Sequence, residues 1–182
     1  MQHSAPRPRR GLALAVLLVL TLTVGACQNF GQHPDPAFHP PTMVLYNSPP
    51  IIAHFHLEDT ARAHGEIVSW HADLDDAEGK GATRIGHCNG TMQVTRDNDG
   101  HGDDREHRMT TIELDWDDSD DSLLIAGSHP YRHGVVQSDT RMIRAIIGGT
   151  GRFMGARGQM ISERLQSGWY RHSIWLIDSH GR

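Results

Sequence analysis

Residues 146 to 158 read Ile-Ile-Gly-Gly-Thr-Gly-Arg-Phe-Met-Gly-Ala-Arg-Gly, and this stretch carries the most information about the fold. Five glycines stand within eleven residues, from Gly148 to Gly158, directly after an apolar segment. This density predicts tight backbone turns, because glycine adopts conformations that other residues avoid. Glycine-rich loops can also cradle phosphates, but such loops lead into a helix, whereas Gln159–Leu165 alternates like a strand. We therefore interpret the stretch as a strand, a compact turn and a second strand.

Apolar and polar residues alternate along much of the chain after residue 43. One face of such a strand would carry Val68, Trp70 and Leu74. This alternation predicts about eight strands: Ile51–Leu57, Glu66–Leu74, Thr83–Thr95, Thr111–Trp116, Ser122–Ala126, Arg141–Ile147, Arg157–Leu165 and Trp169–Ile177. Eight strands close a small antiparallel barrel, although two packed sheets would show the same alternation. The predicted fold class is all-β, and alternation alone leaves barrel and sandwich open.

The stretch 146–158 resembles the signature Val-Val-Gly-Gly-Thr-Gly-x-Phe-x-x-Ala-Arg-Gly of plant dirigent proteins and the related allene oxide cyclase barrels. Upstream, residues 121–127 (Asp-Ser-Leu-Leu-Ile-Ala-Gly) are similar to the Gly-Ser-Thr-Leu-x-x-x-Gly strand that precedes this signature in dirigent proteins. Residues 53–59 (Ala-His-Phe-His-Leu-Glu-Asp) are loosely similar to the first strand of that family. The resemblance implies an eight-stranded antiparallel β-barrel around a mostly apolar cavity.

The resemblance also implies candidate site residues. Dirigent barrels hold a reactive phenolic intermediate and steer its coupling with a few arginines, aspartates and tyrosines. Arg157 matches the signature arginine and could hold a developing oxyanion, and Asp59 matches the first-strand aspartate and could accept a proton. The alternatives are an Arg157 that clamps the glycine-rich turn and an Asp59 at a solvated strand end. Plant dirigent proteins usually carry an acidic residue shortly before the signature, where this chain has Met-Ile-Arg-Ala at residues 142–145.

The N-terminus has the order of a bacterial export signal. Residues 7–10 (Arg-Pro-Arg-Arg) are cationic, residues 11–20 are apolar, and residues 24–27 read Val-Gly-Ala-Cys. The apolar run is too short for a membrane span, which needs about 20 apolar residues. Val-Gly-Ala-Cys resembles the lipobox, which implies a signal peptide over residues 1–26 and a lipid on Cys27; a plain secretory signal is the alternative. We expect a lipoprotein that is exported and anchored to a membrane, in the periplasm or at the cell surface.

Composition limits the remaining possibilities. Residues 27–42 contain four prolines and would form an extended tether, which leaves one domain over residues 43–182. The formal net charge is −5 and no clustered cationic face is evident, so nucleic acid is not an expected partner. Cys88 would be a lone thiol that is buried in a strand as a small hydrophobe.

Fourteen histidines raise the question of a metal site. His54, His56 and Glu58 share one face of a predicted strand and could offer two imidazoles and a carboxylate to zinc or copper. The opposite face is apolar, so the three side chains would equally suit a solvent-facing side. We expect no cofactor and keep this set as a metal candidate.

Three functions fit these observations. The first is a barrel that binds a small apolar or phenolic ligand without transforming it. The second is a dirigent, cyclase or isomerase activity that steers a reactive small molecule. The third is an interaction module whose barrel is filled by its own side chains, and an open cavity would separate this function from the other two. The first is preferred because no residue set specific for catalysis is found, and the resemblance is compatible with a homo-oligomer.

Overall fold

The computed structural model describes residues 39–55, 65–96, 105–132 and 140–177, with the backbone alone at positions 54, 55, 96, 105 and 132. These residues form nine strands: β1 Met43–Asn47, β2 Ile51–Phe55, β3 Ile67–Asp75, β4 Arg84–Arg96, β5 Arg105–Trp116, β6 Ser122–Arg132, β7 Arg141–Thr150, β8 Arg157–Arg164 and β9 Tyr170–Ile177. A short 3-10 turn, Gly151–Phe153, joins β7 to β8. None of the described residues forms a helix long and apolar enough to cross a membrane.

The strands close into a barrel with eight positions. Every pairing is antiparallel, and the spatial order from β2 to β9 follows the chain. β1 closes the ring, because it pairs with β9 over its whole length and with the end of β3 through Tyr46↔Asp75 and Asn47↔Leu74. β2 pairs with the other end of β3, so β1 and β2 share one position in the wall. The predicted eight-stranded antiparallel barrel is confirmed, and the continuous ring excludes a sandwich of two sheets.

The interruption between β1 and β2 falls at Ser48, Pro49 and Pro50. Proline has no backbone N–H and cannot donate to a strand ladder. Ser48 keeps the chain attached to β3: its N–H donates to the Asp73 carbonyl at 3.1 Å, and its hydroxyl accepts the Asp73 N–H at 3.2 Å. The alternation pattern does not predict β1, because five residues between prolines are too short to show it.

Three strands are longer than the sequence pattern predicts, and the smallest extension is that of β7, which continues from Ile147 to Thr150. β5 begins at Arg105 rather than at Thr111, and β6 continues to Arg132 instead of ending at Ala126. The added part of β5 places three polar side chains in the interior, with exposed fractions of 8% or less: Glu106, Arg108 and Thr110. Polar residues at inward positions erase the apolar alternation by which a strand is recognised.

An apolar core fills one end of the barrel. Its fully buried side chains come from five different strands: Leu74, Leu114, Leu123, Ile125, Met160 and Ile174. Phe153 of the 3-10 turn packs against Trp116 with the ring centroids 4.9 Å apart. Because full burial of one such side chain contributes about 1.5–3 kcal/mol, this end is a main source of stability.

The glycine-rich turn closes the same end. Gly151 has a φ of +55°, and a Cβ at this position would clash with Asp121 Oδ1. Asp121 accepts the Arg152 backbone N–H at 2.8 Å and pairs with its guanidinium at 3.2 Å. The backbone hydrogen bond is the main reason why the pKa of Asp121 is lowered. At Gly158, where φ is +153°, a Cβ would clash with the Trp175 carbonyl oxygen. The glycines of this stretch therefore allow β7, β8 and β9 to approach closely.

Candidate functional site

The other end of the barrel encloses a cavity of about 510 Å³. Much of its wall is apolar, with side chains from four strands: Val68, Trp70, Met92, Ile112 and Met142. Pro49 and Pro50 of the β1–β2 interruption border it, as does the β8–β9 hairpin at Ser167 and Gly168. The volume lies within the range of small-molecule sites, which is about 300–1,000 Å³.

The change from core to cavity can be followed along single strands, because every second residue of a strand faces the interior. On β5, the inward series passes from Leu114 and Ile112 to Arg108. On β9, it passes from Ile174 to His172. All five side chains are buried, so the interior is polar only toward the cavity end.

Arg144 of β7 lies in the cavity wall with 4% of its surface exposed. Its Nη2 donates to the Tyr131 hydroxyl at 3.3 Å and contacts the Met142 sulfur at 3.6 Å. Its Nε is buried and has no hydrogen-bond partner in the described part of the chain. Burial lowers the pKa of Arg144, and Tyr131 partly offsets this effect. Because arginine stays protonated in proteins, the wall contains a buried positive charge.

A second guanidinium, that of Arg108, belongs to an ion pair. Arg108 Nη2 donates to the carboxylate of Glu106, two residues away on β5, and both side chains are buried. The Arg108 guanidinium lies over the Tyr131 ring, 4.8 Å from its centroid. Tyr131 thus contacts Arg108 through its ring and Arg144 through its hydroxyl. Glu106 balances the charge of Arg108, whereas Arg144 contacts two neutral groups among the described residues, the Tyr131 hydroxyl and the Met142 sulfur.

Ser162, His172 and Asn47 form a hydrogen-bonded chain that also lines the cavity. His172 Nε2 lies 2.6 Å from Asn47 Oδ1, and Nδ1 lies 2.9 Å from the Ser162 hydroxyl. The Asn47 amide nitrogen donates to the Ser48 carbonyl at 2.7 Å, so its oxygen accepts from Nε2–H and Ser162 donates to Nδ1. Burial, with a smaller effect of Arg144, lowers the pKa of His172 to about 3. His172 is therefore neutral and too weak a base to activate Ser162 near neutral pH.

Cys88 of β4 is buried in the cavity wall, as the sequence predicted. Burial raises the pKa of its thiol to about 12, so the thiol is protonated and a poor nucleophile. Beside it, Trp70 packs over Gly90, its cross-strand partner, where a Cβ would clash with the indole ring. Because Gly90 has no side chain, the indole ring of Trp70 has room to lie against the wall.

The structure places Arg157 at the glycine-rich turn, and it does not belong to the side chains that line the cavity. Arg157 is exposed, and its Nη1 donates to the carbonyls of Ile147 at 2.9 Å and Ala156 at 2.7 Å. These bonds fit the clamp that was the alternative for this residue. A catalytic role for Arg157 stays a prediction.

The remaining predicted site residues cannot be placed against the cavity. Cys27, His56, Glu58 and Asp59 lie outside the described residues, as does the side chain of His54. Within the described ranges, no group of three or more His, Cys, Asp or Glu side chains could hold a metal ion. The lipidation, the metal candidate and the role of Asp59 stay predictions.

Sequence reasoning missed the polar groups that the barrel brings together in the cavity: Asn47, Arg108, Tyr131, Ser162 and His172. Arg144 was noted only as a departure from the plant pattern. A signal was present in the alternation itself, because a polar residue that interrupts an inward apolar series faces the interior. The series Met142, Arg144, Ile146 shows this on β7.

Comparisons with known proteins show which solved structures share this fold. No family model and no curated protein matches the chain. A pyocyanin demethylase matches with a TM-score of 0.53 and 16% identity over 71% of this chain and 96% of its own. The pterocarpan synthase dirigent protein GePTS1 matches at 0.51 and 15% over 71% of this chain and 78% of its own. A nonspecific haem-binding cyclase of neoabyssomicin biosynthesis matches at 0.52 and 14% over 71% of this chain and 58% of its own.

These likenesses define the class of the fold as a dirigent-like antiparallel β-barrel, which confirms what residues 146–158 predicted. At identities of 14–16%, these likenesses show a shared fold and do not assign a function to this chain. In this chain, the cavity holds the guanidinium of Arg144 beside the Tyr131 hydroxyl, and no carboxylate of the described residues pairs with it.

Proposed function

We propose that the barrel binds a small, mainly apolar molecule in its cavity. The observation that carries this proposal is the 510 Å³ space between apolar walls, into which a few polar groups converge. Sites for small organic ligands in other proteins have this composition, because apolar walls supply burial and a few polar groups fix orientation.

The open cavity supports ligand binding over the alternative function, an interaction module whose barrel is filled by its own side chains. Trp116 packs in the core end against Phe153, whereas Trp70 stands in the cavity wall and leaves the space open. An open interior without an occupant is a costly feature, because its lining loses packing contacts. Ligand binding explains why the chain retains it.

A second candidate function is catalysis by confinement, in the manner of a cyclase or a dirigent protein. The structural neighbours are named for a demethylase, a pterocarpan synthase and a cyclase, which all transform small molecules. In this chain, Arg144 and the Tyr131 hydroxyl could stabilise negative charge on an oxygen of a bound molecule. His172 does not provide the base, since its pKa of about 3 makes the imidazole too weak a base, and Cys88 does not provide the nucleophile, since burial keeps its thiol protonated. Binding without turnover is therefore the preferred function.

A fluorescent probe tests the cavity directly. N-phenyl-1-naphthylamine, a neutral apolar dye that brightens in apolar sites, is titrated into the purified protein carrying Cys27→Ser. We expect saturable binding that Met92→Trp abolishes, because the larger side chain fills the cavity from β4. Met109→Trp is the matched control, since Met109 faces outward on β5 with 44% exposure and does not line the cavity.

Mass spectrometry of compounds extracted from the purified protein checks whether the cavity is already occupied. A copurified small apolar molecule would support the proposal and identify a ligand. If the dye does not bind and no compound copurifies, the filled interaction module becomes the better description.

We also propose that the chain is exported and anchored to a membrane through a lipid on Cys27. Support comes from the order of residues 7–27, which ends in Val-Gly-Ala-Cys. We expect the protein in the membrane fraction with a mass that includes acyl groups, and we expect Cys27→Ser in the soluble fraction without that mass. An unmodified Cys27 in membrane-derived protein would contradict the anchor and leave the barrel unaffected.

A further inference from the structure

We infer that the ligand of this cavity is an apolar monocarboxylate whose carboxylate pairs with Arg144. This inference rests on the proposed binding function and specifies the class of ligand. It follows from the charge, the burial and the surroundings of this one side chain.

The described lining of the cavity is cationic. It contains Arg108, Arg144 and Arg164, and no aspartate or glutamate. Glu106 lies behind Arg108 and forms an ion pair with it, so at least Arg144 remains to be balanced. His172 adds no charge, since it is neutral. An anion is thus favoured in this space over a neutral or cationic molecule of the same shape.

Burial makes the unbalanced charge of Arg144 significant. A guanidinium that is 96% buried loses most of its hydration, and isolated buried ions are strongly unfavourable. Among the described residues, Arg144 Nη2 contacts a phenol oxygen and a thioether sulfur, and the buried Nε has no hydrogen-bond partner. A carboxylate from the ligand would supply both the missing charge and acceptors for the planar guanidinium.

The surroundings of Arg144 indicate that the rest of the ligand is apolar. Val68, Trp70 and Ile112 stand in the wall of the same cavity, and Met142 contacts the guanidinium itself. Arg164, the other arginine of the described lining without a carboxylate partner there, is only half-buried, so water can solvate its charge. One carboxylate on an apolar body therefore fits this arrangement better than a dicarboxylate.

A matched pair of probes tests the inference: 2-naphthoate and 2-naphthamide, which share shape and size and differ in charge. Binding of each to the Cys27→Ser protein is measured by calorimetry at about pH 7.5, where the acid is ionised. We expect naphthoate to bind about tenfold or more tightly, because hydrogen bonds to charged groups are worth more than neutral ones. Arg144→Gln should remove this preference and leave naphthamide affinity nearly unchanged. Arg141→Gln, an outward-facing arginine on the same strand, should leave the preference intact.

The outcomes separate this inference from the proposed function. If naphthamide binds as tightly as naphthoate, the carboxylate assignment is overturned while ligand binding stands. If the preference exists but survives in Arg144→Gln, another cation is responsible and the assignment to Arg144 is overturned. If neither probe binds and the neutral dye also fails, the proposed function and the inference fall together. Should Arg144→Gln fail to fold, the ratio of the two affinities in the parent protein still decides the carboxylate preference, and loss of that preference in Arg164→Gln would overturn the assignment to Arg144.

Discussion

Replacing Arg144 with methionine is expected to stabilise the unliganded barrel. The substitution removes a guanidinium that is 4% exposed and contacts no carboxylate of the described residues. Desolvation of an ion costs several kcal/mol even after relaxation. Against this stands the loss of the hydrogen bond to the Tyr131 hydroxyl, about 1.5–3 kcal/mol for a charged donor with good geometry and less at the observed 3.3 Å.

The desolvation cost is therefore the larger effect. The Tyr131 hydroxyl would keep an acceptor after the substitution, because the Met142 sulfur lies 3.7 Å away. Methionine is flexible and close in length to the arginine stem, so it can fill the vacated space. The expected net gain is about 1–4 kcal/mol, as found when buried ionic groups are replaced by apolar side chains of similar volume.

Urea denaturation followed by tryptophan fluorescence measures this gain, and thermal unfolding should show a Tm higher by about 2–4 °C for each kcal/mol. Arg141→Met is the matched control: its side chain is 62% exposed and pairs with Glu163 at 3.3 Å, so its stability should change by less than about 1 kcal/mol. If Arg144→Met keeps the native circular dichroism spectrum but is less stable than Arg141→Met, Arg144 has a native counter-charge. That result would show that the Arg144 cation is not unbalanced.

Three other side chains of the barrel give measurable outcomes. The pKa of His172 is about 3 in the folded state against an ordinary value of 6.5, so the unfolded state takes up the proton first as the pH falls. The free energy of unfolding should therefore decrease below about pH 6.5, by at most about 1.4 kcal/mol per pH unit, and urea titrations should show a flatter slope for His172→Gln. Gly90→Ala should displace the ring of Trp70, lower the free energy of unfolding by about 1–3 kcal/mol and shift the tryptophan emission. In the control Gly148→Ala, where no atom lies within 4 Å of the new Cβ, stability and emission should stay unchanged, and equal stability losses in the two variants would refute the packing described for Trp70. The Cys88 thiol should react with a disulfide reagent at about pH 8 only after unfolding in urea, and fast reaction of the native protein would contradict its burial.

The fold could be predicted because its determinants are local in the sequence. Gly151 and Gly158 occupy backbone positions where a side chain would clash, so their spacing records the geometry of the turn between β7 and β8. The alternation of apolar and polar residues likewise predicts the strands, because apolar side chains such as Val68 and Leu74 face inward from one side of β3. β1 could not be found, because its five residues acquire their role only by pairing with both β9 and β3.

The site could not be predicted for a different physical reason. Arg144 becomes a site residue because Tyr131, 13 residues away on another strand, accepts its hydrogen bond, and because Glu106 neutralises a different arginine. Such relations depend on the register of several strands and are invisible in any single segment. Arg157 belongs to the signature, yet its side chain donates to the backbone carbonyls of Ile147 and Ala156. A residue that marks a fold family can serve the scaffold instead of the chemistry.

The separation of the glycine-rich turn from the cavity has an evolutionary consequence. Selection can rewrite the lining at Arg108, Arg144 and His172 while the turn at residues 151–158 continues to hold the scaffold. Such independence agrees with an architecture that this chain shares, at 14–16% identity, with proteins named for demethylation, cycloaddition and pterocarpan synthesis. The residues that line the cavity are thus separate from those that close the other end of the barrel. A designer who wants a new ligand specificity can therefore exchange lining residues and keep the closed end.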